Sequence, residues 1–345
     1  MIPIQNIYYM LSYAFQVLNE QGYKNIATEQ FNNTGELMAA ILEKGIAIQL
    51  KRGLGKEYIL QTEALSSLRG KIDIAESIKT QSMLRKQLIC TYDEFSVNSI
   101  MNRIIKSTVE LLLRSNISKQ RKKNLRKLMV YFSEVDFIDL YTVNWNVQYN
   151  RNNQTYHMLI SICYLVVKGL LQTQSNGHTK LMDFLDEQRM CRLYEKFILE
   201  YYRKEFKNQF TANASQIPWQ LDNEENSMLP VMQSDIMLQS GEKVLIIDAK
   251  YYEHSTQVQF DKHTLHSGNL YQIFTYVKNK EYELREKDHT VSGMLLYAKT
   301  DEEIYPNNVY QMSGNQITVR TLDLNLPFDE IAGQLNTIAK THFDL

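Results

Sequence analysis

Apolar residues recur at helical spacing over residues 4–18, where Ile4, Ile7, Tyr8, Leu11, Phe15 and Leu18 share one face behind Pro3. The same periodicity predicts helices over residues 35–50, 98–113, 155–172, 186–209, 268–278 and about 328–340. In the 98–113 helix, Ile100, Ile104, Ile105, Val109 and Leu112 line one side and Asn98 is a plausible cap. Leu193, Phe197 and Tyr201 share a face of the 186–209 helix. Short β-favouring runs fall at 58–60, 88–92, 231–238, 244–247, 291–298, 310–312 and 316–324. Residues 131–153 lose helical periodicity and read as loop and strand. The polar run Asn150-Arg151-Asn152-Asn153 is the best linker, so the expected domains are residues 1–150 and 151–345. The first reads as α+β. The second has the order helix, strand, strand, helix, strand, which suits an α/β fold with a mixed sheet flanked by helices.

The chain's 345 residues suffice for two such domains. Its formal charge of −1 gives no global basic signal, so any nucleic-acid contact has to come from a local patch. Cys90, Cys163 and Cys191 show no C-x-x-C spacing, which argues against a disulfide framework or a zinc site and suits a reducing cytoplasm. The N-terminus has no basic lead-in to an apolar run, and the longest apolar stretch, 158–167, is too short to span a bilayer. No membrane partner is expected.

The chemistry concentrates in the stretch MLPVMQSDIMLQSGEKVLIIDAKYY. Two β-favouring runs flank Ser240-Gly241, which predicts a hairpin. A turn centred there sets Asp235 opposite Ile246 and makes Asp248 its diagonal neighbour, at about 7–8 Å between backbones. Strand alternation then projects Asp235, Asp248 and Lys250 from one face. Two carboxylates at that separation can share a hard cation, Mg²⁺ or in its place Mn²⁺, with the Ala249 carbonyl as a further ligand and Lys250 beside it. This is equipment for metal-assisted phosphodiester hydrolysis. The bland reading is a strand that ends in solvated charges. Against it, the run Val244-Leu245-Ile246-Ile247 leads straight into an acid, where a doubly buried strand usually ends on turn residues.

Two other features have open readings. Residues 114–127 carry seven basic and no acidic residues, among them Arg121, Lys122, Lys123, Arg126 and Lys127. They form either the solvated face of a helix or a surface for phosphates or an acidic partner. Arg52 opens the basic turn Arg52-Gly53-Leu54-Gly55-Lys56, which lacks the spacing of a phosphate loop. No such loop occurs elsewhere, so a nucleoside triphosphatase of this chain's own is not expected.

The pattern D-x(12)-D-x-K resembles the core of the PD-(D/E)xK nucleases, and the element order from 186 to 298 matches their α-β-β-β-α-β arrangement. Glu195 and Gln272 fall where many of those enzymes keep accessory residues. Several short strings, in order, resemble the McrC family, the nuclease subunit of the McrBC modified-cytosine restriction system. They are Ile2-Pro3-Ile4-Gln5-Asn6-Ile7-Tyr8-Tyr9-Met10-Leu11, Arg69-Gly70-Lys71-Ile72, Asn102-Arg103-Ile104-Ile105-Lys106, Leu193-Tyr194-Glu195-Lys196-Phe197, Ile247-Asp248-Ala249-Lys250-Tyr251-Tyr252 and Asn269-Leu270-Tyr271-Gln272. The resemblance implies a catalytic set of Asp235, Asp248, Lys250, Glu195 and Gln272. It implies a C-terminal domain that cuts double-stranded DNA containing modified cytosine. It also implies an N-terminal domain that engages a hexameric McrB-like AAA+ GTPase and stimulates it. GTP is then used by the partner, and Arg52 is either the stimulating residue or an ordinary exposed turn residue. Two further readings are a non-catalytic activator of an AAA+ partner and a stand-alone DNA nuclease.

Overall fold

The computed structural model describes residues 2–15, 33–149, 155–175, 187–223, 228–252, 262–299 and 305–345, with strand 257–259 and a few single positions besides. In chain order the elements are α1 (Ile4–Ala14), α2 (Thr34–Arg52), β1 (Glu57–Leu65), β2 (Lys71–Asp73), β3 (Leu88–Ser96), α3 (Ile100–Arg114), α4 (Lys119–Met129) and α5 (Tyr156–Ser175). They continue with α6 (Glu187–Glu205), β4 (Thr211–Asn213), β5 (Ile236–Ser240), β6 (Lys243–Lys250), α7 (Ser267–Glu283), β7 (Thr290–Ala298), β8 (Asn308–Met312), β9 (Asn315–Leu322) and α8 (Phe328–Phe343). Short pairs at 216–217 with 232–233 and at 257–259 with 262–264 complete the described strands.

The chain divides into two compact units, Gln21–Phe184 and Met1–Glu20 with Leu185–Leu345. The division differs from the expected cut at 150 in two ways, each with a packing cause. Helix α5 is a core element of the first unit: Leu159, Ile162 and Val166 are buried, and it packs on α2 and α3. Helix α1 belongs to the second unit, because the Asn6 amide donates to the carbonyls of Leu324 and Leu326 at 2.7 and 2.8 Å, and Tyr13 packs on Phe197, Tyr201 and Phe328. Residues 150–152 of the expected linker lie outside the described residues.

The first unit sets helices α2–α5 beside an antiparallel sheet of order β1-β3-β2. Asn33 caps α2 through the Glu36 N–H at 2.8 Å, and Ser118 caps α4 through the Arg121 N–H at 3.2 Å. Ser99 rather than Asn98 caps α3; the Asn98 side chain instead binds Asp136.

The second unit is built on a mixed sheet, six-stranded among the described residues, in the order β8-β9-β7-β6-β5-β4. Strand β7 runs parallel to both β6 and β9, while β4, β5 and β6 form an antiparallel run. Helices α6 and α8 cover one face, joined by the Tyr202 hydroxyl donating to the Leu335 carbonyl at 3.0 Å. Helix α7 covers the other, with Ile273 and Val277 against Ile246, Val291, Leu295 and Ile317. Strand β6 is thus sandwiched and buried from Val244 to Ala249, as a central strand covered by helices on both faces requires. Gly293 permits the close approach of α7: a Cβ there would meet Ile273 and Val277 at 2.8 Å. None of the described helices is long and apolar enough to cross a membrane.

Candidate active site

The hairpin forms, with its register two residues from the expected one. Ser240 stays in the ladder opposite Lys243, so the loop is Gly241-Glu242, not Ser240-Gly241. Gly241 supplies φ +56° at the first loop position, and the Ser240 hydroxyl is held by the Gln209 carbonyl at 3.0 Å. Ile236 pairs with Ile247, which brings Asp235, one step further, level with Asp248 instead of diagonal to it. A shift of two preserves the strand alternation, so the carboxyls still share a side. That side is the one covered by α7, where Asp248 continues the row Val244 and Ile246.

Four of the five expected catalytic residues are linked here by direct contacts. Asp235 Oδ2 accepts the Ala249 N–H at 2.9 Å, which pins the first carboxylate to the strand carrying the second. Lys250 Nζ donates to Asp248 Oδ1 at 3.0 Å and to Gln272 Oε1 at 3.4 Å. Asp248 Oδ2 lies 2.9 Å from the same ammonium but off hydrogen-bond alignment, and no aligned donor serves it. The Gln272 amide is oriented in turn by its Nε2 donating to the Tyr276 hydroxyl at 2.9 Å. Asp248 is 1% exposed, whereas Asp235 and Lys250 are half-buried. Glu195 approaches from α6 on the other face. The Cys191 thiol lies 3.0 Å from Glu195 Oε1, to which it donates, and 4.0 Å from the Ala249 carbonyl between the two site residues.

The electrostatics follow from burial. Both aspartates are held above the usual carboxylate range, first by loss of solvent. For Asp235, Lys250 and the Ala249 N–H oppose that rise; for Asp248, the facing Asp235 adds to it and Lys250 opposes it. Glu195 is raised by burial and then by Asp235. Burial works to lower Lys250, but its ion pair and hydrogen bond with Asp248, and Asp235 beyond, outweigh it, so its ammonium is held above its ordinary range. The cluster therefore resists full ionisation of its carboxyls beside a single ammonium. Among the described residues no group of three or more His, Cys, Asp and Glu side chains is arranged to hold a metal ion.

The remaining expected site residues are in the first unit. Arg52 is the exposed last residue of α2. The loop that follows it is fixed from below: Asn102 donates to the Gly55 carbonyl at 2.9 Å, and the Tyr156 hydroxyl accepts the Gly55 N–H at 2.7 Å. In the basic run, Arg121 turns inward to Glu36 at 3.4 Å, to Glu43 at 2.8 Å and to Glu29. The acids that balance it are distant in sequence, so the run's own composition hides them. Lys123, Arg126 and Lys127 are exposed and Lys122 is half-buried. Sequence reasoning missed Cys191, although its i, i+4 spacing from Glu195 was a usable signal.

Comparison with known proteins bears on the whole chain. A family model described as McrBC 5-methylcytosine restriction system component matches residues 5–298. The type IV methyl-directed restriction enzyme EcoKMcrBC of Escherichia coli K12 is 30% identical over 329 residues, covering 94% of this chain and 93% of that protein. A Thermococcus gammatolerans assembly of McrB AAA+ hexamers with bound McrC aligns with TM-score 0.47 and 18% identity, covering 97% of this chain and 76% of that one. The McrBC complex of the same organism aligns with TM-score 0.41 and 20% identity, over 59% of each chain.

Proposed function

The chain belongs to the McrBC restriction-system family, and from that premise we propose that it is the McrC-type subunit that cuts DNA. In this reading Met1–Glu20 with Leu185–Leu345 is a PD-(D/E)xK endonuclease unit. The unit Gln21–Phe184 engages a McrB-like AAA+ GTPase ring and stimulates its GTP hydrolysis, with Arg52 at the end of α2 as candidate. The substrate is double-stranded DNA with modified cytosine, selected by the partner. The order α6, β4, β5, β6, α7, β7 supports the nuclease assignment, since it is the α-β-β-β-α-β succession such enzymes share. The observation that carries the reading is buried Asp248 facing half-buried Asp235 beside Lys250.

The donor chemistry fits a hard divalent cation. One buried and one half-buried carboxyl face one another beside a single ammonium, and Asp248 Oδ2 has no aligned donor. A cation supplies the missing positive charge. Asp235, Asp248 and the Ala249 carbonyl would hold it, an all-oxygen set that suits Mg²⁺ or Mn²⁺ and leaves positions for water and phosphate. When bound, such an ion supplies Lewis acidity for the phosphodiester and the attacking water.

The chain's own residues do the rest. Because its carboxylate neighbours keep Lys250 protonated, it acts as a fixed cation that orients the water and stabilises charge developing on the phosphate, not as a proton acceptor. Gln272 steadies the ammonium from α7, and the Cys191 thiol steadies Glu195 on α6.

The test is a reconstituted complex with the McrB-like partner, GTP, Mg²⁺ and modified duplex DNA. Asp248→Ala abolishes cleavage and leaves GTPase stimulation intact. Retained cleavage overturns the site assignment; loss of stimulation as well points to a folding defect, which a thermal melt of the variant identifies.

A further inference from the structure

A second pocket of the nuclease unit is unclaimed by this mechanism. It lies between α8 and the C-terminal end of β9, with a volume of about 210 Å³, where one water needs only about 10–15 Å³. Arg320 on β9 lines it. No hydrogen bond or ion pair engages its guanidinium among the described residues, and its Nε is buried without a partner. A guanidinium with no acceptor among the described residues and its Nε buried, beside a void of this size, calls for an acceptor with several oxygens.

The other walls agree. Asn307 presents an uncommitted amide. The Thr321 and Thr337 hydroxyl protons are spent on the Pro306 and Gly333 carbonyls, so these groups bound the pocket without filling it. Gln334 is fixed by the Asp323 N–H on its Oε1. Among the described residues no carboxylate lines the cavity, and the nearby Asp323 is already paired with Lys299 at 2.7 Å.

Position gives the pocket a context. Leu296 of β7 pairs with Ala249 on one side and with Arg320 on the other, so Arg320 shares a cross-strand row with the metal-ligand candidate. Two strand spacings separate them, about 9–10 Å. Both lie toward the C-terminal ends of parallel strands, the rim where ligands of such sheets bind. Arg320 alternates with Val319, which faces α7, so its side chain emerges on the α6 and α8 face, opposite Asp248.

We propose that the pocket between α8 and β9 is an oxyanion site in which Arg320 and Asn307 bind a phosphate group. The phosphate is either that of a DNA backbone crossing the rim or that of a free nucleotide. The DNA form rests on the nuclease reading; the phosphate site itself does not.

Isothermal titration of the full chain with inorganic phosphate, without metal, tests the site. Saturable binding weakened at least tenfold in both Arg320→Gln and Asn307→Asp supports it. Asn307→Asp is the safer variant, since it places a carboxylate at the exposed mouth and its melting temperature should match the wild type. Unchanged phosphate affinity in both variants, or no saturable binding by the wild type, overturns it. Metal-free fluorescence anisotropy with a short duplex then separates the sources. If the phosphate is DNA's, both variants lose several-fold in affinity, and the slope of log affinity against log salt falls by about one. If a nucleoside monophosphate competes with inorganic phosphate while the duplex affinity of the variants is unchanged, the site is a nucleotide site. Repeating the duplex measurement on Asp248→Ala keeps the two readings apart, because the Arg320 effect persists there even if the cleavage assignment fails.

Discussion

Two ion clusters in this molecule look alike on paper and differ in kind. In the first unit Arg121 meets Glu29, Glu36 and Glu43; in the second, Lys250 meets Asp248 and Asp235. Both have more carboxylates than cations. Around Arg121 two of the three acids also have other donors. Glu36 takes the Ser118 N–H and hydroxyl, each at 2.8 Å, and Glu43 takes the Asn124 amide at 2.9 Å. Burial works to lower the Arg121 guanidinium, but the Glu43 hydrogen bond and the three charges hold it above its usual value. That cluster is finished: it fastens α4 to α2. Around Lys250 an oxygen of Asp248 is left without an aligned donor, and both aspartates are pushed up. Excess charge that is hydrogen-bonded marks a brace, whereas excess charge left short marks a place for something else.

The largest expected effect breaks the second cluster. Asp248→Asn keeps the shape and removes one negative charge, so cleavage by the reconstituted complex falls by at least about 10²–10³-fold. Because the substitution relieves carboxyl crowding, the melting temperature does not fall; a drop of several degrees would mean that the aspartate braces the fold as Arg121 does. The converse holds for the brace. Arg121→Met leaves three glutamates facing one another and destabilises the first unit by about 2–3 kcal/mol. That is below the ~3–5 kcal/mol of a fully buried pair, because Glu29 is 44% exposed. Urea denaturation measures it, and a change below about 0.5 kcal/mol removes the distinction between the clusters. A smaller effect concerns the exposed remainder of the basic helix. Replacing both Lys123 and Arg126 by Gln leaves stability within about 0.5 kcal/mol. If that face meets phosphates, the salt slope of duplex binding falls by about two; an unchanged slope makes it a solvated surface.

The sequence showed the elements better than their joints. The strand at 244–247 and the acid that follows were legible because a continuous apolar run ending in Asp-Ala-Lys is unusual. The hairpin register was not legible, since Ser240-Gly241 and Gly241-Glu242 are both acceptable loops; the choice falls to pairing along β6, which also aligns with β7. The parity of the side chains survived because the error was two residues. Helix α5 was legible as a core helix, but the side on which it packs depends on α2 and α3, more than forty residues upstream. Helix α1 joins the far end of the chain through Asn6, a contact across more than three hundred residues that no local pattern carries. The acids around Arg121 were not legible from 114–127 for the same reason: they sit on or before α2.

The finest distinction lies within the second cluster, between residues that touch the reacting centre and residues that steady it. Gln272 reaches Lys250 at 3.4 Å, a long and weak hydrogen bond, and is itself held by Tyr276 at 2.9 Å. If Gln272 only restrains the ammonium, Gln272→Met removes about 1 kcal/mol of positioning and slows cleavage roughly fivefold. Tyr276→Phe releases the amide without removing it and slows cleavage about twofold. Both act through Lys250, so their effects vanish in a Lys250→Met background. A double-mutant comparison of cleavage rates at saturating DNA reads this directly. Full additivity of Gln272→Met with Lys250→Met would mean that the amide touches the phosphate itself, and Gln272 would then move from the supporting residues to the catalytic ones.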